Sequence, residues 1–132
     1  MSQKLSLVAI VVSDYDDAIA FYVETLGFEL VEDTYQPEQD KRWVVVRPKG
    51  EGAAGMLLAK AANERQAGFV GDQAGGRVFL FLETDNFWRD FEAYKSRGVE
   101  FVRAPIEADY GTVAVFQDVC GNLWDLVEFA GQ

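Results

Sequence analysis

Few kinds of side chain in this sequence can do chemistry. Its 132 residues include no histidine. That removes the commonest general base at neutral pH and the commonest metal ligand, and with them every Ser–His or Cys–His nucleophilic pair. Any bound metal would rest almost wholly on oxygen donors, which select hard cations over zinc or nickel. The single cysteine, Cys120, cannot form an internal disulfide; with no histidine to draw off its proton, it reads as a structural thiol in a turn. Carboxylates dominate what remains: 22 Asp and Glu stand against 12 Lys and Arg, a net charge of −10. This balance argues against nucleic acid and anionic membrane as partners, since both reward a basic patch. Gly75-Gly76 could approach a phosphate, but no P-loop or GxGxxG spacing surrounds it, so it reads as plain flexibility.

The elements that must position these groups come in two copies. Leu7 to Val31 and Val78 to Val102 align without a gap at an offset of 71, matching Asp14 with Asp85, Gly27 with Gly98, Glu29 with Glu100 and Val31 with Val102. Each copy reads as an apolar strand, a capped amphipathic helix, a glycine stop and a second strand. In the first, the run at 5–12 suits a strand covered on both faces. Asp14 is the N-cap, Ala18, Ile19, Tyr22, Val23 and Leu26 form the helical stripe, and Gly27 is a left-handed stop. Residues 28–32 begin a strand, 33–41 read as a polar loop, and 42–47 and 56–59 as strands. The second copy predicts strands at 78–82, 99–103, 112–117 and 123–129. Its helix is capped by Asp85 and striped by Phe87, Phe91 and Tyr94, with a loop at 104–111 and a tight turn at 118–122. The length predicts one domain, 1–132, with a first module at 5–59, a glycine-rich linker at 60–77 and a second module at 78–129. No apolar run reaches the ~18 residues of a membrane span, and the N-terminus does not read as a signal peptide. A cytoplasmic protein is expected.

Three segments together, SDYDDAIAFYVETLGFELVED, its repeat at 78–102 and DVCGNLWDLVE, resemble the vicinal oxygen chelate superfamily. Glyoxalase I, extradiol dioxygenases, fosfomycin-resistance enzymes and bleomycin-resistance proteins belong to it. The resemblance covers nearly the whole chain. It implies an α+β fold of two pseudo-symmetric βαβββ modules forming a curved mixed sheet, a partial barrel with helices on its outer face and a cup inside. It also implies a homodimer. The metal enzymes of that superfamily carry ligands on four strands, commonly His, Glu, His and Glu. The matching positions here are Leu7, Leu58, Val78 and Asp125. One carboxylate cannot hold a divalent cation as three or four ligands do, so no metal and no other cofactor is expected.

Alternation along strands then populates the cup. With Leu7, Leu58, Val78 and Asp125 inward, Ala9, Val11, Leu80, Leu82, Leu123 and Val127 follow. Val113, Val115 and Gln117 join them, as do Arg42, Val44 and Val46 by the offset of 71. Three readings stay open. In the first, a glyoxalase- or bleomycin-resistance-like protein binds a small, mostly apolar molecule between its modules, with Asp125, Arg42, Gln117 and Tyr110 fixing polarity. In the second, Asp125, its pKa raised by burial among aliphatics, is a metal-free general base of a lyase or isomerase. In the third, side chains close the cup and the protein works by association.

Overall fold

The computed structural model describes residues 1–131. It divides into two compact units, Met1–Val70 and a second beginning at Gly71. The first contains β1 (Leu7–Val12), α1 (Tyr15–Ile19), β2 (Glu29–Gln36), β3 (Lys41–Arg47), β4 (Gly55–Lys60) and α2 (Glu64–Ala67). The second contains β5 (Val78–Glu83), α3 (Phe87–Ser96), β6 (Phe101–Ala108), β7 (Gly111–Gln117) and β8 (Leu123–Phe129). Each unit has one mixed four-stranded sheet, in the orders β1-β4-β3-β2 and β5-β8-β7-β6. In each, the first and last strands pair in parallel and the others antiparallel. Shifted by 71, β1 falls on β5 residue for residue. The architecture is the α+β, two-module one that the repeat implies. Among the described residues no helix is long and apolar enough to cross a membrane.

In the first unit, the Asp14 carboxylate accepts the Asp17 N–H at 2.8 Å and starts α1. The helix continues as a π-helical segment over Ala20–Thr25, where the Leu26 N–H donates to the carbonyl of Phe21, five residues back, at 2.9 Å. Ala18, Tyr22 and Leu26 are buried from this helix. Gly27, at φ +83°, ends it, as the sequence predicts. The partners of this helix on the sheet are Ile10, Val12, Val44, Val46, Met56 and Leu58, all buried. Leu7 and Ala9 are exposed, so β1 is not covered on both faces; it alternates.

An aromatic core builds the second unit. Phe87, Phe91 and Tyr94 form the buried stripe of α3. Phe87 stacks on Phe91, Phe116 stacks on Trp124, and Tyr94 meets Phe116 edge-on with centroids 5.9 Å apart. The expected cap moves by one residue. Asn86, not Asp85, accepts the Arg89 N–H, at 3.1 Å, while Asp85 pairs with the Arg89 guanidinium at 3.0 Å. Asn86 has a non-helical backbone, φ −153° and ψ 88°, as a cap needs, and the next residue, Phe87, must enter the first turn to reach the core. The turn before β8 is held by one buried side chain. Asp118 Oδ1 accepts the N–H groups of Cys120, Gly121 and Asn122, each at 2.9 Å, and Oδ2 accepts the Asn122 amide at 3.0 Å.

Two segments expected as loops are strand. β2 runs on to Gln36 and β6 to Ala108. Both lie at sheet edges and both are largely exposed, so they carry polar residues without losing their pairing. Pro105 sits in β6 at a register shift, where a missing N–H breaks no ladder bond. The stretch expected as linker, 60–77, holds α2, capped by Asn63.

Two outcomes follow from this packing. Asn86→Ala should lower stability by about 1 kcal/mol, and Asp85→Ala by less than half of that, in urea unfolding followed by circular dichroism. At Gly111 an added Cβ would stand 2.2 Å from the Glu128 carbonyl oxygen and 2.9 Å from Phe129 Cα. Gly111→Ala should therefore destabilise by more than about 2 kcal/mol in the same assay, since the atoms it meets are backbone of the paired strand β8 and not the movable end of a side chain.

Candidate ligand-binding site

Each sheet has a helix face and an open face, and strand register assigns every side chain to one of them. In the first unit Ile10 stands opposite Leu58, which stands opposite Val44; all three are fully buried. The open face carries the alternate residues: Leu7, Ala9 and Val11 on β1, Leu57 on β4, and Trp43, Val45 and Arg47 on β3. Leu7, expected inward, is on this open face. Leu58 is not, nor are Val44 and Val46, because the pairing of β4 with β1 and β3 is one residue out of the expected phase.

The open face of the first sheet contributes to a groove of about 620 Å³ lined by residues from this unit alone. Trp43, Val45 and Leu7 give it apolar surface, while Glu29, Glu32 and Arg47 give it charge. Residues 4–6 and the turn between β3 and β4 complete it. Arg47 is paired with Glu29, its Nη2 2.5 Å from Oε1. Glu32 accepts the Thr34 hydroxyl at 3.0 Å, and among the described residues no cation lies within ion-pair distance of it.

In the second unit the register shift between Val78 and Leu80 decides the lining. Two residues of β5 advance against one of β8, so Phe79 is the extra residue. Val78 stays on the same face as Leu123, but Leu80 and Leu82 pair with Trp124 and Leu126 and turn to the helix face. Phe81 takes the place beside Asp125 and is 66 % exposed. A transverse row crosses the open face, Phe81 to Asp125 to Val115 to Arg103. Burial raises the pKa of Asp125, and the positive charge of Arg103 partly opposes that shift.

The four polar residues singled out in the sequence are not gathered together. Gln117 shares the face of Asp125 one diagonal away, but its amide donates to the Glu100 carboxylate. Tyr110 lies at the β6–β7 turn, five residues and roughly 16 Å along the strand from Val115. Arg42 belongs to the first unit and to its helix face. It holds Asp33 with two bonds, of 3.1 and 2.7 Å, and Asp16 at 2.9 Å. Its guanidinium also lies over the Tyr15 ring, 5.1 Å from the centroid. Those bonds fasten the start of α1 to β2 and β3, and they hold the Asp33 carboxyl below its ordinary range. Sequence reasoning missed Arg103 and Phe81. Both owe their place to bulges that leave no mark in the hydrophobic pattern.

The residues present do not fit a divalent cation at the four superfamily positions. Leu7, Val78 and Leu58 offer no donor atom, and Leu58 is fully buried against the helix. Among the described residues no group of three or more His, Cys, Asp or Glu is placed to hold a metal ion.

A family model described as the Glyoxalase/Bleomycin resistance protein/Dioxygenase superfamily matches residues 4–126. An uncharacterised protein of Shewanella frigidimarina strain NCIMB 400 is 59 % identical over 128 residues, which are 97 % of this chain and 95 % of that one. Among solved structures, UcmS2 is 37 % identical with a TM-score of 0.82, covering 96 % of this chain and 98 % of its own. TnmS3, an antibiotic binding protein from Streptomyces sp. CB03234, is 31 % identical with a TM-score of 0.77 and 98 % coverage of both chains. With sequence match, strand order and module repeat in agreement, the chain belongs to the Glyoxalase/Bleomycin resistance protein/Dioxygenase superfamily.

Proposed function

We propose that this protein binds a small, mostly apolar molecule without the help of a metal, in the manner of a sequestering or resistance protein. The groove on the first sheet carries this reading. Its volume falls within the range of sites that take drug-sized molecules, and Leu7, Trp43 and Val45 supply apolar surface among five charged side chains, Lys4, Glu29, Glu32, Arg47 and Glu51, in an open and more polar than apolar lining. The likeness to an antibiotic binding protein over almost the whole chain supports it. So do the aliphatic side chains at Leu7 and Val78, which take oxygen and nitrogen donors away and leave surface for an apolar ligand. A second copy of the chain is part of this reading. Phe81, Ile106 and Phe129 leave 66, 59 and 40 % of their surface exposed, and register puts all three on the open face of the second sheet. A patch of that kind on a water-facing sheet is covered most simply by a symmetric partner.

A second reading rests on Asp125. Its raised pKa, and Arg103 two strands away on the same face, suit a general base that removes a proton next to a carbonyl, with the guanidinium drawing negative charge onto the enolate oxygen of a substrate lying between them.

Calorimetric titration against a panel of apolar metabolites and aromatic antibiotics should find a ligand of micromolar or better affinity. Ala53→Trp, which fills the groove from its turn, should weaken it at least tenfold; undiminished binding would move the site elsewhere. For Asp125 the sign is definite. Its folded-state pKa is raised, so the protonated form is the one the fold favours, and its stability contribution is present below about 3.8 and lost as pH rises through the raised value. Asp125→Asn should thus be more stable than the parent at pH 7, with the gain fading in acid below that window. Arg103→Gln should push the Asp125 titration higher still by carboxyl NMR.

A further inference from the structure

Resting on the groove reading above, we propose that the groove on the first sheet selects a planar aromatic molecule that carries a protonated amine. The ring lies against Trp43 and the ammonium group meets the Glu32 carboxylate. Three observations point there. First, the charges of the groove are unevenly matched: Glu29 is neutralised by Arg47, which leaves Glu32 and Glu51 against Lys4 alone. Second, Glu32 stands opposite Val45 and Thr34 opposite Trp43 in the β2–β3 ladder. Glu32 and Trp43 are therefore diagonal neighbours on one face, about 7–8 Å apart, close enough to touch one small molecule together. The extra residue between Leu30 and Glu32 is what brings Glu32 to this face, since an unbroken alternation from Glu29 would send it to the helix side. Third, the Thr34 hydroxyl donates to Glu32 and steadies the carboxylate without cancelling its charge. An indole is the best aromatic face for a cation, and a fixed carboxylate beside it adds a charge-assisted hydrogen bond to an N–H donor. An anionic ligand would find only Lys4 to pair with and would face two carboxylates, Glu32 and Glu51.

The test uses three planar probes of similar size: proflavine, a cation at pH 7; 9-anthracenemethanol, neutral; and anthracene-9-carboxylate, an anion. Each is titrated into the full-length protein by fluorescence. Proflavine should bind at least tenfold tighter than the carboxylate. Glu32→Gln should weaken proflavine about fivefold and leave the neutral probe within twofold. Glu92→Gln, the same charge change on the exposed side of α3, should leave all three unchanged, which separates the groove from the general field of an acidic protein. Trp43→Leu should weaken every probe that enters the groove. If Glu32→Gln and Glu92→Gln act alike on proflavine, or the carboxylate binds as well as the cation, the charge preference is overturned while the groove stands. If no probe binds, or binding survives Ala53→Trp unchanged, the groove reading falls and this proposal with it.

Discussion

The two-residue period of a β-strand is the constraint on which everything else in this protein depends. Each sheet gives one face to a helix and keeps the other open, so a single step of register exchanges a core side chain for a lining one. Leu58 and Leu57 show how sharp that choice is. Leu58 lies in a buried row with Ile10 and Val44, while Leu57 lies with Ala9 and Val45 on the open side. The helices enforce the phase. Tyr22 in the first unit and Phe87 in the second are fully buried, and each needs a row of large side chains beneath it at native packing density. Exposing those rows would forfeit roughly 1.5–3 kcal/mol for each large side chain, more than any local preference of the strands could offset.

Bulges re-set that phase at the places where the open faces gain polarity. Val31 in β2 and Val102 in β6 are extra residues in their ladders, and they correspond to each other at the offset of 71. Both are more than two-fifths exposed, as suits a residue the ladder does not use. The first bulge delivers Glu32 to the open face and the second delivers Arg103. The repeat thus preserves a backbone device while the side chain it presents changes sign. The Phe79 bulge in β5 has no counterpart in β1, where pairing with β4 runs without a break. This asymmetry gives the second sheet Phe81 and the first sheet Ala9 and Val11 in comparable places.

The order of elements, the helical stripes, Gly27 and Gly98 as stops, and the two-module α+β plan were legible in the sequence because each has a periodic or steric signature. The faces of individual strands were legible only where register runs unbroken. Leu7, Ala9 and Val11 came out on the open side, as did Val113, Val115 and Gln117, whereas Leu80 and Leu82 did not, because one inserted residue has no hydrophobic signature of its own. The strand character of 33–36 and 104–108 was hidden for a different reason. An edge strand draws its stability from one neighbour and from backbone bonds, so its side chains can stay as polar as those of a loop. Arg42 looked available because strand position alone does not show that Asp16, Asp33 and Tyr15 converge on it from two other elements.

The chemistry open to this scaffold follows from what fills the superfamily's donor positions. A metal site concentrates several anionic or imidazole donors, and the mutual repulsion and desolvation of those donors are tolerable only because the cation compensates them. With leucine and valine at Leu7 and Val78 that compensation is not needed, and the open faces can be apolar without stored electrostatic strain. A lone acid left in such surroundings must find another counter-charge or bind a proton more tightly. Asp125 does some of each: burial lifts its pKa, and Arg103, two strands away across Val115, pulls it back. On the first sheet Glu29 takes Arg47, while Glu32 is exposed and accepts one hydrogen bond, from the Thr34 hydroxyl. One face therefore holds a carboxylate half-buried among aliphatic side chains, the other an exposed carboxylate with no cation in ion-pair distance among the described residues, and the second is the one placed to meet a cation.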